Sequence, residues 1–141
     1  MSSFEQLEGI ENDVENIEEQ VEETEKQLED INNRLNSIES AIGQLGDDQE
    51  VAATLESNKE NAEGEKQQVE EKRSELSSQL QEMENTLSEI ENDNENSASV
   101  LGELQSIGED VSEGMEKVES RRGEIQSQRG RIQELQNRLQ K

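Results

Sequence analysis

Cysteine, proline, histidine, tryptophan and tyrosine are absent from this 141-residue chain, and phenylalanine occurs once, at Phe4. Each absence removes a class of function. Without His or Cys there is no imidazole base, no thiolate nucleophile and none of the usual zinc sites. Without Cys there is also no disulfide framework, so the redox compartment is left open. A nucleic-acid groove built on stacked aromatics is excluded as well. No glycine-rich phosphate loop is present, since Gly43-Gln-Leu-Gly46 lacks the Lys-Ser/Thr that should follow. The region around Asp93 lacks the sixth-position Gly and twelfth-position Glu of a calcium loop. The missing proline permits something instead, because nothing interrupts a long helix.

Positive charge is scarce. There are 13 Lys and Arg against 37 Asp and Glu, a net charge of −24. Glu supplies 31 of the acids, and Glu favours helix where Asp does not, so the acid reads first as helix surface. Such a charge repels nucleic acid and anionic membranes. Long apolar runs are also missing: no stretch approaches the roughly 20 residues of a membrane span, and the start lacks the basic and apolar run of a signal peptide. The expectation is a cytoplasmic protein with no membrane or nucleic-acid partner.

Leu, Ile, Val and Phe number 29, a fifth of the chain, which as bare composition borders on disorder. Their order along the chain points the other way. Leu7, Val14, Val21, Leu28, Leu35 and Ile42 recur every seven residues, and Ile10, Ile17, Ile31, Ile38 and Leu45 follow three residues behind, with Thr24 the one polar member of that second row. An alternating 3–4 spacing over five heptads is the pattern of a helix–helix seam. A second seam carries Leu55, Ala62, Val69, Leu76, Met83 and Ile90. Its other row reads Ala52, Lys59, Lys66, Arg73, Leu80 and Leu87, three cations at heptad intervals in an acidic chain. That placement suggests register control, with apolar stems over the seam and charged heads reaching flanking Glu. A third pattern joins Leu104, Val111, Val118, Ile125, Ile132 and Leu139 to Val100, Ile107, Gly114, Arg121, Gln128 and Leu135.

Breaks divide these seams. Ser2 with Glu5, or Ser3 with Gln6, offers a capping box for the first helix. Gly43, Gly46 and Asp47-Asp48 join a stop to a start, with Asp47 and Glu50 opening the second helix. Periodicity lapses over 91–99, rich in Asn and Ser, which places the second turn there and the next N-cap at Asn96, Ser97 or Ser99. The expected helices are therefore 3–45, 49–92 and 97–141, nearly equal and about 65 Å long. Equal helices with short turns predict an all-α fold: one elongated domain over 1–141, a coiled-coil-like antiparallel three-helix rod. It is similar in outline to a spectrin-type repeat, in architecture alone. The alternative is one continuous helix pairing as a long extended coiled-coil dimer. Gly114 in this scheme asks for a close neighbour, while Gly123 and Gly130 sit on an outer face.

Charge is polarised along the chain. Residues 121–141 hold six bases and two acids, whereas 1–45 hold 13 acids and two bases. Arg121, Arg122, Arg129, Arg131 and Arg138 thus form a basic end. Within one folded-back chain it lies beside the acidic first two helices; between chains it would meet the acidic half of a neighbour. These five arginines are the candidate protein–protein interface. With no catalytic, metal or cofactor-binding residues to name and no pocket for a small-molecule substrate, the expected function is non-enzymatic. The leading reading is a structural coiled-coil protein that self-associates into an oligomer or filament, or serves as a rigid spacer. The alternative is a small acidic adaptor or chaperone-like module offering an apolar helical strip, at the incomplete Lys59/Lys66/Arg73 seam, to another helical protein.

Overall fold

In a computed structural model, which describes residues 2–141, the chain is all-α. Three helices make it up: α1 (Ser3–Gln44), α2 (Gln49–Ser106) and α3 (Ser112–Leu139), and no strand occurs among the described residues. The first helix begins as the capping box predicts. The Ser2 hydroxyl accepts from the Glu5 N–H at 3.3 Å while the Glu5 carboxylate accepts from the Ser2 N–H at 3.3 Å. Gly46 ends α1 in the left-handed region at φ 60°, where any side chain would crowd the backbone. The cap of α2 is Asp48 and not Asp47: its carboxylate accepts the Val51 N–H at 3.2 Å.

The second turn is not where the asparagines are. α2 continues through 91–99 to Ser106, so the helices are 42, 58 and 28 residues long and not equal. Asn96, Ser97 and Ser99 lie inside α2 and cap nothing. Asn is a turn former because its side chain competes for nearby backbone groups, and here that competition is removed by partners across the fold. The Asn94 amide is wholly buried and donates to the Val118 carbonyl at 3.0 Å. Asp93 accepts from the Ser3 hydroxyl, and Glu95 holds Arg122.

The chain turns instead at 107–111. The Gly108 N–H donates to the Gln105 carbonyl at 3.0 Å and the Glu109 N–H to the Leu104 carbonyl at 3.1 Å. With Gly108 at φ 92°, this is the paired-bond helix ending that glycine permits. Leu45-Gly-Asp-Asp48 and Ile107-Gly-Glu-Asp110 share one pattern, apolar–Gly–acid–Asp, and that repeat was the legible signal for both turns. Two turns also exclude the continuous-helix dimer, since Ser3 meets Asp93 and Arg131 meets Glu18 within one chain.

The chain divides into two compact units. Glu19–Leu76 is a two-helix hairpin in which Thr24 meets Arg73, Arg34 meets Glu65 and Glu39 meets Lys59, an antiparallel register. The other unit joins the residues up to Glu18 with Ser77–Lys141. In it α2 runs antiparallel to both α1 and α3, while α1 and α3 run parallel, as Phe4 with Arg121 and Glu18 with Arg131 show. Leu80, Leu87, Ile90, Val118, Ile125 and Ile132 are buried there together with Leu7, Ile10, Val14 and Ile17. Each such side chain contributes about 1.5–3 kcal/mol of transfer free energy.

Candidate interaction surfaces

The five candidate arginines all stand on α3, and the structure gives them partners within the chain. Arg122 forms a two-pronged pair with Glu95, Nε to Oε1 at 2.8 Å and Nη2 to Oε2 at 2.9 Å, and its Nη1 donates to Glu119. One heptad on, Arg129 bridges two acids of α2, Nε to Glu84 at 2.9 Å and Nη1 to Glu91 at 3.0 Å. Arg131 reaches the other way to Glu18 of α1 at 3.0 Å. The Arg121 guanidinium lies 3.7 Å from the centre of the Phe4 ring, so the one aromatic residue carries a cation on its face. Arg138 is half-buried and is not free either. The basic end thus stitches α3 to α1 and α2.

Local electrostatics follow these pairs. The hydrogen bond from Arg122, aided by its charge, holds the Glu95 carboxyl below the usual glutamate range, and the same pair raises Arg122. Arg129 is raised first by its hydrogen bond to Glu91. In the second turn, Asp110 accepts from the Ser112 hydroxyl at 2.7 Å and N–H at 3.1 Å, which lowers its carboxyl. Such exposed pairs are worth little singly, because water and salt screen them. As a series on both flanks of α3 they fix its register.

Buried polar residues mark the seams of both units. In the hairpin, the Arg73 Nη1 donates to the Thr24 hydroxyl at 2.8 Å, which in turn donates to the Val21 carbonyl at 2.7 Å. The lone polar member of the first seam therefore faces one of the cations of the second, a seam hydroxyl where the sequence pattern pointed to flanking Glu. Lys59 instead pairs with the exposed flanking carboxylate of Glu39 at 3.5 Å. In the three-helix unit, Asn94 and Gln128 are buried, and Asn94 Oδ1 and Gln128 Oε1 have no protein partner among the described residues. An acceptor that nothing meets costs about 1–3 kcal/mol.

One surface is apolar, and sequence reasoning missed it. Val100, Leu104 and Ile107 are 55%, 39% and 75% exposed, three of the four large exposed apolar residues among the described residues. The seam pattern assigns them to the core of a third helix. They belong instead to the last turns of α2 and the turn beyond, where α1 has already ended at Ser3 beside Asp93. Beside them lies an open groove of about 420 Å³ lined by Val100, Leu101, Gly114, Val118, Lys117 and Arg121. Gly114 does have the close neighbour its position asked for: a Cβ there would stand 2.9 Å from both Leu101 methyls. Among the described residues no group of three or more His, Cys, Asp or Glu is arranged to hold a metal ion, and no helix is long and apolar enough to cross a membrane.

No family model, curated protein or solved structure matches this chain.

Proposed function

We propose that this chain is a non-enzymatic structural protein that self-associates through apolar helix surface. The observation that carries the reading is the exposed patch of Val100, Leu104 and Ile107 at the end of α2, in a chain whose residues are only 26% hydrophobic. Where apolar side chains are this few, three left together in water are an interaction surface before they are anything else. The arginines are a poorer candidate, because recruiting them to a second chain means breaking pairs already made within the first. Itself, or another helical protein, remains the expected partner.

Sedimentation at rising protein concentration, from about 0.05 M to about 1 M salt, tests this. Apolar association strengthens in salt, which screens repulsion between copies carrying −24 each. Association through the arginines would weaken instead, and a monomer throughout would sink the reading. A second reading, a binding module for a helical partner, rests on the hairpin unit. There Leu28, Leu35, Ile38, Leu55 and Val69 are only half-buried. Slow hydrogen exchange over 52–76 in the isolated protein would count against it.

A further inference from the structure

The open end of the three-helix unit has a shape that its own copy fits. Past Asp93, α2 runs on for about 20 Å with α3 beside it and, among the described residues, no third helix over the pair. Val100 and Leu104 stand one turn apart on that extension and Ile107 follows in the turn that ends it, so the three make one exposed apolar patch. The groove lies at the inner end of the extension, and the protruding side chains Leu104 and Ile107 at the outer end. Charge is divided the same way. Glu109 and Asp110 occupy the turn, and Lys117 and Arg121 line the groove.

We propose that this end docks antiparallel on the same end of a second copy, two helix hairpins closing into a four-helix joint. This rests on the self-association reading and names its surface. In that arrangement Leu104 and Ile107 of each copy enter the other's groove, and each acidic turn passes over the other's Lys117. Knob and hole, and acid and base, are thus each matched by one two-fold axis. The contact is isologous, so it closes at a dimer and does not propagate a filament. It is also small. Two helices about 10 Å across and about 20 Å long offer a face on the order of 400 Å², below the roughly 800 Å² per partner of a stable complex. The dimer is therefore weak and concentration-dependent. Glu103 shares the patch's side of α2 and opposes its own mate, so Glu103→Gln tightens the pair.

The test compares sedimentation of wild type with the triple variant Val100→Ser, Leu104→Ser, Ile107→Ser. The changes are at exposed positions and leave helicity unaltered by circular dichroism. The expected result is dimerisation weakened by about tenfold or more, from the loss of about 1.4 kcal/mol or above. Wild type that associates while the triple variant associates equally overturns this joint and spares the broader reading. Wild type that stays monomeric overturns both. Orientation is read from spin labels, which the absence of native cysteine makes simple. A label at Ser99→Cys lies close to its mate, and one at Glu134→Cys about 50 Å from its mate. Short distances at both positions mean a side-by-side parallel pair and overturn the antiparallel joint.

Discussion

The hairpin unit and the three-helix unit carry the same heptad spacing and reach different degrees of burial. Of the fifteen buried apolar side chains among the described residues, eleven lie in the three-helix unit. The hairpin holds Val21, Ile31, Ala62 and Leu76, and its remaining apolar seam residues are half-exposed. Periodicity sets which face of a helix is apolar, but two helices cover only a strip of that face. A third helix closes the other side. The difference in burial is thus a matter of helix number and also of α2, whose seam carries Ala52, Lys59, Lys66 and Arg73 in the hairpin but Leu80 and Leu87 in the three-helix unit.

The largest break in this comparison should come from truncating equivalent seam positions. Leu87→Ala and Ile132→Ala, both wholly buried, should each cost about 2–5 kcal/mol in denaturant unfolding. Leu35→Ala or Leu55→Ala in the hairpin should cost about 1 kcal/mol, in keeping with half the area removed from water. Equal losses would mean the hairpin is as well packed as the other unit.

Next in size are the buried polar positions, where the two units should respond with opposite signs. Arg73→Ala leaves the Thr24 hydroxyl without its donor and should cost about 1.5–3 kcal/mol. Gln128→Leu removes an acceptor with no partner and should raise stability by about 1 kcal/mol. Thermal melts of the two variants side by side would show whether the polar layer of the hairpin is a working bond and that of the three-helix unit a cost.

Glycine substitutions sharpen the contrast further. Gly108→Ala must hold a side chain at φ 92° and should lose about 1–2 kcal/mol. Gly130→Ala adds a methyl in open space on an exposed helix and should gain about 0.5–1 kcal/mol. Gly114→Ala falls between them, because Leu101 must move aside.

The smallest effect is that of pH. Glu95 titrates below its ordinary value in the folded chain, so the stability it contributes is present above the unfolded pKa and is lost as pH falls through the folded one. The difference between wild type and Glu95→Gln should stay constant from about pH 8 to about pH 5.5 and close at lower pH. A gap that persists in acid would mean the glutamate acts by packing and not by its charge.

Much of the fold was legible in the residues. The α1 seam, the Ser2–Glu5 box and the first turn at Gly46 all followed from spacing and residue type, whereas Arg73 meets the Thr24 hydroxyl and not only the flanking Glu expected of it. The second turn did not. Residues 91–99 have every local mark of a loop and are helix because Val118, Ser3 and Arg122 hold Asn94, Asp93 and Glu95 from other elements. The arginines were legible as a basic end, and their two candidate destinations were both open until the pairs with α1 and α2 were seen.

What the sequence alone determined is local: an all-α chain, which faces of its helices are apolar, and that His- or Cys-based chemistry is absent, because periodicity and composition need no partner to act. What the tertiary structure decided is where each face ends up. Val100, Leu104 and Ile107 keep heptad-like spacing yet stand exposed, because among the described residues only α3 packs beside the end of α2. Burial is a property of the neighbours, and only the folded chain supplies them.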